Sequence, residues 1–229
     1  ILPANDRLGN YQVAALMLPA EEVGGDYYDF FETVSGEQWV TIGDVSGHGV
    51  ESGLIMMMTQ TSIISVLNTA NGLLPSKLLS SINTIIRNNI IRLDVERYMT
   101  LMAVHLTNSS LLLAGKHTDL LVLRSSDLSV ETVSTEGTWI GITDDIEGCM
   151  KDIEITINRG DIILLYTDGA TEGKNFSGEM FGDERLIKSF KIHSGLPVNE
   201  IVQNMLADIL EFQQSQDDDI TLLVIKKIF

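Results

Sequence analysis

The stretch VTIGDVSGHGVESGLIMMM, which runs from Val40 to Met58, joins an apolar strand pattern to a glycine-rich turn and a helix pattern. The strand pattern ends next to Asp44, and the helix pattern begins after Gly49. A single Asp at such a position is most often a turn residue. The alternative is a carboxylate that is held at the end of a core strand to bind a metal ion. Recurrence of the pattern elsewhere in the chain would favour the metal ligand.

The same combination of an aspartate and an apolar strand occurs at three other places. Asp26 follows two glycines and leads a strand-like segment, and Asp168 separates the apolar run IILLYT from a glycine. Asp217–Asp219 precede the last apolar segment. If these strands pack centrally, their carboxylates converge, and each raises the pKa of its neighbours unless a cation intervenes. Oxygen ligands without cysteine or paired histidine suit hard ions such as Mg²⁺ or Mn²⁺.

Composition excludes several classes of protein. The 229 residues are 44% hydrophobic, which is enough for the core of one domain that spans residues 1–229. A formal net charge of −17 disfavours binding to nucleic acid or to an anionic membrane surface. No apolar run is expected to be long enough to span a bilayer, since Thr59–Ser62 interrupt the longest one.

Two further features concern the cellular context. Cys149 is the only cysteine, so an internal disulfide and a cysteine-based zinc site are excluded, and we expect a reducing, cytoplasmic location. The sequence begins at Ile1 without a methionine, and we therefore expect a domain that has been excised from a longer regulatory protein.

Hydrophobic periodicity predicts strands and helices that are grouped along the chain rather than strictly alternating. This grouping favours antiparallel sheets flanked by helices over a doubly wound parallel sheet. Helices are predicted at 50–67, 75–93, 183–190 and 198–213. Strands are predicted at 11–18, 25–31, 38–45, 99–107, 110–113, 120–124, 130–133, 152–157, 161–166 and 220–225.

Four stretches, in chain order, carry a resemblance to a known family. They are Gly24–Phe30 (GGDYYDF), Gly43–Gly49 (GDVSGHG), Tyr166–Gly169 (YTDG) followed by Glu172, and Asp218–Thr221 (DDIT). This ordered set resembles the PPM-type (protein phosphatase 2C-like) metal-dependent phosphatases, and within them the bacterial SpoIIE-like branch. The match runs from about Ile1 to Phe229.

The resemblance implies an α+β fold, a four-layer α-β-β-α sandwich in which two antiparallel sheets are flanked by helices. It also implies two Mn²⁺ or Mg²⁺ ions, with Asp44 and Asp168 as the catalytic residues. Asp44 would contact both ions, Val45 would offer its carbonyl oxygen, and Asp26 would serve the first ion. Asp168 and Asp218 would serve the second ion. Asp218 is chosen over its two neighbours because the motif places the ligand two residues before the isoleucine.

The implied function is that of a protein serine/threonine phosphatase acting on a phosphorylated bacterial regulatory protein, typically an anti-sigma-factor antagonist. A homodimer is a further expectation. The alternative is a catalytically weak pseudophosphatase that only binds such a partner, which the intact aspartates disfavour. A metal-dependent nuclease or phosphodiesterase shares the carboxylate chemistry but suits the acidic surface poorly.

Three motif neighbours are given no catalytic role. His48 follows Asp44 by four positions, where more distant phosphatase 2C relatives have a histidine after two, and it is interpreted as a turn residue. Ala114–His117 (AGKH) departs from the Ala-Gly-His of relatives, which removes the basis for a substrate role. Met56–Met58 are interpreted first as adaptable core. Coupling of the helix pair that they begin to partner binding or dimerisation is a secondary hypothesis.

Overall fold

The structure is a computed structural model, and it describes residues 7–229. Its elements, in chain order, are β1 (Arg7–Leu8), β2 (Tyr11–Leu18), β3 (Asp26–Glu32), β4 (Gln38–Val45), α1 (Val50–Thr69), α2 (Pro75–Leu93), β5 (Met99–Leu106), β6 (Ser110–Lys116), β7 (Leu120–Leu123), β8 (Val130–Val133), a short 3-10 helix (Glu147–Cys149), β9 (Ile153–Thr156), β10 (Ile162–Tyr166), α3 (Gly169–Glu172), α4 (Gly182–His193), α5 (Val198–Phe212) and β11 (Ile220–Lys227).

The strands form two sheets in which every pairing is antiparallel. The chain divides into two compact units, and each contains one sheet with its own helices. The prediction of an α+β fold with two antiparallel sheets and flanking helices is therefore confirmed. A single domain over residues 1–229 stays a prediction.

The first unit comprises Glu21–His117 and Thr135–Ile157. Its five strands lie in the order β3-β4-β5-β6-β9. Helices α1 and α2 cover one face of this sheet, because the alternation of side chains along each strand sends every second residue towards them. The core between sheet and helices contains fully buried residues, among them Trp39, Ile55, Ile82 and Leu101.

The second unit comprises residues 7–20 with Thr118–Ser134 and Asn158–Phe229. Its six strands lie in the order β1-β2-β11-β10-β7-β8. The core of this unit joins Leu164 and Leu222 from the central strands to Phe190 of α4 and Met205 of α5. β10 and β11 are antiparallel neighbours at the centre of this sheet, so the end of β10 lies beside the start of β11. The predicted ligand Asp168 follows β10, and the predicted ligand Asp218 precedes β11.

Helix α1 corrects one expectation from the sequence. By length and composition Val50–Thr69 qualifies as a possible membrane span, with a mean hydropathy of 1.3, so the expectation that no segment is long enough was wrong. The polar residues of this helix are too few to bring its mean hydropathy below the level of a possible membrane span. Within the first unit, Ile55, Ile63 and Leu67 of the helix are fully buried in the core, and this packing gives a physical reason for the apolar composition.

Candidate metal centre

Asp26 and Asp44 lie directly opposite each other in the neighbouring strands β3 and β4. Opposite residues of an antiparallel pair point to the same face of the sheet, with Cβ atoms about 4.5–5.5 Å apart. Asp26 is only 2% exposed. Two adjacent carboxylates, one of them buried, repel each other unless a cation lies between or beside them. The pair therefore fits a divalent metal ion.

Gly25 creates the space into which two candidate ligand atoms point. A Cβ atom at this position would lie 2.6 Å from the carbonyl oxygen of Val45 and 3.0 Å from Oδ1 of Asp44. The Val45 N–H donates to the carbonyl oxygen of Gly25 at 3.1 Å, which holds the two strand ends together. A carboxylate oxygen and a backbone carbonyl oxygen beside one small space are donors that Mg²⁺ or Mn²⁺ accepts. The structure thus brings Asp26, Asp44 and Val45 together, and their role as metal ligands stays a prediction.

Asp168 lies in a turn between β10 and α3, whereas Asp26 and Asp44 lie within strands. Its backbone carbonyl accepts hydrogen bonds from the N–H groups of Thr171 and Glu172, each at 2.8 Å, and so begins the short helix. Burial raises the pKa of the half-buried Asp168 carboxyl group, and the nearby charge of Glu172 raises it further. A bound cation would oppose both effects by favouring the carboxylate form.

The three consecutive aspartates before β11 have different surroundings. Asp219 is 6% exposed, and its Oδ1 accepts the N–H of Ala20 at 2.7 Å. Oδ1 of Asp217 accepts the hydroxyl group of Ser215 at 2.9 Å. Asp218 is exposed, and its Oδ1 accepts the N–H of Asp219 at 2.8 Å. The buried Asp219 side chain therefore makes a structural hydrogen bond to Ala20, whereas the Asp218 side chain lies at the surface.

The turns that carry Asp168 and Asp218 are in direct contact. A Cβ atom on Gly169 would lie 2.1 Å from the carbonyl oxygen of Asp219, so only glycine permits this approach. Asp218 and Glu172 also line one pocket of about 150 Å³. The second unit therefore brings its two predicted ligands to one end of β10 and β11.

Across residues 7–229 no group of three or more Asp, Glu, His or Cys side chains is arranged to hold a metal ion by itself. The predicted ligands instead occur as one group in each unit, Asp26 with Asp44 and Val45, and Asp168 with Asp218. The complete set of five ligands stays a prediction.

His48, His105 and His193 lie in ordinary structural contacts. His48 is exposed in the glycine-rich turn, with Nδ1 2.9 Å from the Glu21 carboxylate. His105 stacks on Trp39 with ring centroids 4.6 Å apart. His193 contacts Asp208 at 2.9 Å.

Sequence reasoning missed two residues next to the candidate site, Thr100 and His117. The Thr100 hydroxyl group accepts the backbone N–H of Asp44 at 3.0 Å and lies 2.9 Å from Nδ1 of His117. The departure of Ala114–His117 from the familiar motif was the only signal at His117. No local pattern distinguishes Thr100, because its contact depends on the pairing of β4 with β5.

Comparison with protein families identifies the group to which this sequence is related. The model for Stage II sporulation protein E (SpoIIE) matches residues 35–227. The chain belongs to the SpoIIE family. Asp44, Asp168 and Asp218 all lie within the matched range, and the resemblance recognised in the motifs is confirmed.

Among named relatives of this SpoIIE-family chain is the phosphoserine phosphatase RsbU of Bacillus subtilis. It is 26% identical over 219 residues, which cover 94% of this chain and 63% of RsbU. A second relative, Protein IcfG of a Synechocystis species, is 25% identical over 252 residues, with 95% of this chain and 38% of IcfG covered. The chain thus spans less than two thirds of the length of either relative.

Solved structures support the fold of the SpoIIE-family chain. The SiaA-PP2C domain of Pseudomonas aeruginosa superposes with a TM-score of 0.80 at 24% identity, covering 93% of this chain and 85% of that one. The catalytic domain of the serine/threonine phosphatase PstP, solved with two manganese ions, gives a TM-score of 0.69 at 16% identity, covering 96% and 99%. At these identities the likeness establishes the PP2C fold.

Proposed function

We propose that this chain is the catalytic domain of a metal-dependent protein serine/threonine phosphatase, which hydrolyses phosphoserine or phosphothreonine in a protein substrate. The observation that carries this proposal is the grouping of Asp26, Asp44 and the Val45 carbonyl beside Gly25. The names of the relatives, a phosphoserine phosphatase and a phosphatase with two manganese ions, support it.

In the proposed site Asp44 would serve both ions, Asp26 and the Val45 carbonyl would serve the first, and Asp168 and Asp218 would serve the second. When bound, a pair of Mn²⁺ or Mg²⁺ ions supplies an activated water nucleophile and offsets the charge of the phosphoryl group. The ligand residues lie at strand ends and in tight turns, and their placement would determine where the ions bind. The proposed reaction needs no cysteine nucleophile, because the activated water attacks the phosphoryl group.

The substrate that we propose is a phosphorylated bacterial regulatory protein, typically an anti-sigma-factor antagonist. With a formal net charge of −17 the chain repels such a phosphoprotein at long range, so recognition requires a docking surface rather than general steering. We further propose that the chain acts in the cytoplasm, where its exposed Cys149 stays reduced, and that it forms a homodimer.

The experiment that tests the activity is hydrolysis of p-nitrophenyl phosphate with and without Mn²⁺. We expect EDTA to abolish turnover and Mn²⁺ or Mg²⁺ to restore it. Asp44→Ala should lower turnover by more than about 100-fold. Loss of a residue that only hydrogen-bonds to a metal ligand already costs about 10–100-fold in metal affinity or activity, and Asp44 is itself a proposed ligand. The control Asp145→Ala removes an exposed carboxylate elsewhere in the first unit and should leave turnover unchanged.

Three results would contradict the proposal. Full turnover by a verified metal-free sample would exclude the metal mechanism. Absence of turnover in a sample that binds Mn²⁺ and a phosphoprotein would favour the pseudophosphatase. Cleavage of nucleic acid by the same sample would instead favour a nuclease.

A further inference from the structure

Four polar residues form one row across the end of the sheet of the first unit. Asp26 lies opposite Asp44, and Asp44 lies opposite Thr100 on the next strand. His117 continues the row, because it directly follows the pair Leu101↔Lys116 between β5 and β6. Residues opposite each other share a face of the sheet. The proposed ligands Asp26 and Asp44 and the polar side chains of Thr100 and His117 therefore lie side by side on one face.

The face that carries this row is opposite the one that packs on α1 and α2. Tyr27, Val45 and Leu101, each adjacent in sequence to a member of the row, belong to the core formed with these helices. Side chains alternate between the two faces along a strand. Thr100 and His117 consequently do not contribute to that core, and their position requires another explanation.

The contacts of Thr100 explain why it lies in this row. Its Oγ1 accepts the Asp44 N–H at 3.0 Å, and the same oxygen lies 3.4 Å from the Asp44 carbonyl oxygen. His117 Nδ1 lies 2.9 Å from Oγ1, within hydrogen-bond distance of the hydroxyl group. A side chain that contacts both the N–H and the carbonyl oxygen of Asp44 holds the backbone on either side of this residue, where strand β4 ends.

We infer that Thr100 and His117 are positioning residues that hold Asp44, and with it the Val45 carbonyl, in the geometry required for metal binding. This inference rests on the proposed function, since it assigns a role toward the metal ions. Residues that orient metal ligands through hydrogen bonds typically change metal affinity or activity by about 10–100-fold when they are removed. Neither residue is proposed to touch the substrate.

The test compares Thr100→Val, which removes the hydroxyl group at nearly constant volume, with Thr100→Ser, which keeps it. Binding of Mn²⁺ is measured by titration calorimetry, and folding is measured by the thermal midpoint of the metal-free protein. We expect Thr100→Val to weaken Mn²⁺ binding by about 10–100-fold and Thr100→Ser to restore most of the affinity. A purely structural role would instead lower the thermal midpoint without this difference in Mn²⁺ affinity.

A matched control removes a different hydroxyl group from the same sheet. Thr41 lies on β4, and its Oγ1 is 2.8 Å from the Tyr27 hydroxyl group. Thr41→Val should affect the thermal midpoint and leave the Mn²⁺ affinity unchanged. Equal losses of Mn²⁺ affinity in Thr41→Val and Thr100→Val would overturn the inference.

A second pair of variants keeps the inference testable if Thr100→Val does not fold. His117→Asn retains a polar group near the position of Nδ1, whereas His117→Phe removes it. We expect only His117→Phe to weaken Mn²⁺ binding by about 10-fold or more. If wild type binds Mn²⁺ and hydrolyses p-nitrophenyl phosphate while these variants match it, this inference fails alone. If wild type neither binds Mn²⁺ nor hydrolyses p-nitrophenyl phosphate, the proposed function fails as well.

Discussion

The two units hold their predicted ligands on different kinds of support. In the first unit Asp26 and Asp44 belong to paired strands, so a ladder of backbone hydrogen bonds sets their positions. In the second unit Asp168 and Asp218 lie in turns that flank β10 and β11. A strand ladder limits the movement of a ligand, whereas a turn is held by a few local contacts.

The contrast shows how the same residue type depends on different neighbours. Beside the strand pair, Gly25 is required because a Cβ atom would meet Asp44 and Val45. Beside the turns, Gly169 is required because a Cβ atom would meet Asp219. The proposed site thus has a strand half, with Asp26 and Asp44, and a turn half, with Asp168 and Asp218. Each half depends on one glycine, and each half is open to an independent test.

The largest expected effect concerns the turn half and the choice among its aspartates. Asp218→Asn should lower Mn²⁺-dependent turnover by more than about 100-fold, because it removes a proposed ligand. Asp217→Asn is the matched control, since it changes the same charge on the neighbouring residue and should retain most of the turnover. Turnover of p-nitrophenyl phosphate at several Mn²⁺ concentrations measures both. If Asp217→Asn lowered turnover more than Asp218→Asn, we would assign the ligand to Asp217 instead.

A smaller effect is expected from adding one methyl group to the strand half. Gly25→Ala places a Cβ atom 2.6 Å from the Val45 carbonyl oxygen, so the backbone must shift. We expect Mn²⁺ affinity to fall by about 10–100-fold, as for other losses of ligand orientation. Gly148→Ala is the control, because no atom lies within 4 Å of the added Cβ there. Unchanged Mn²⁺ affinity in Gly25→Ala would remove the shared space from the proposed site.

Gly169→Ala applies the same test to the turn half. The added Cβ atom would lie 2.1 Å from the carbonyl oxygen of Asp219, which is closer than the corresponding contact at Gly25. Because turns yield more readily than strands, we expect a loss of Mn²⁺ affinity of about 10-fold. Titration calorimetry on Gly25→Ala and Gly169→Ala together measures the difference. A larger loss in Gly169→Ala would show that the turn half is the more rigid one.

The smallest effects concern stability and involve one buried aspartate in each unit. Burial disfavours the charged form of Asp161 in the second unit, but hydrogen bonds from Ser125, Asn158 and Arg124 outweigh it and lower its pKa. Asp161→Asn should reduce the free energy of unfolding at pH 7 by about 1–3 kcal/mol, since charged hydrogen bonds are lost. A depressed folded-state pKa stabilises the fold above the unfolded value near 3.9, and this contribution is lost as the pH falls through the folded pKa.

Asp29 of the first unit has the opposite behaviour. Burial raises the pKa of its carboxyl group, and the hydrogen bonds from Gln60, at 3.2 Å, and from the backbone of Phe30 do not offset this. A raised folded-state pKa stabilises the fold below the unfolded value, and this contribution is lost as the pH rises through the folded pKa. Asp29→Asn should therefore leave the free energy of unfolding at pH 7 unchanged or raise it by up to about 1 kcal/mol. Urea unfolding at pH 7 and pH 4 measures both variants, and a loss as large as that of Asp161→Asn would refute the distinction.

Much of the secondary structure was predictable because it depends on local periodicity. The bounds of β2, β4, α2 and β8 agree with the predicted 11–18, 38–45, 75–93 and 130–133. The sequence did not predict β1, the 3-10 helix or α3, all of which have four residues or fewer. Such short elements carry too little periodicity of their own, and contacts with distant segments decide whether they form.

The candidate site divides in the same way. A strand that ends at an aspartate before a glycine-rich turn indicated Asp44 as a candidate ligand, and the apolar run before Asp168 indicated that residue as another. The sequence could not show that Gly25 leaves space for the Asp44 and Val45 oxygens, since this depends on the pairing of β3 with β4. Nor could it show that Thr100 contacts Asp44, because 56 positions separate them.

By itself, the sequence determined the antiparallel strands, the principal helices, the acidic composition and the aspartates at strand ends, because each follows from residue type and local spacing. Only the tertiary structure decided which residues lie opposite Asp44, which of the last three aspartates is buried, and why Gly25 and Gly169 must be glycine. The physical reason is that strand register and turn contacts join residues far apart in the chain, and local sequence patterns carry no record of such pairing.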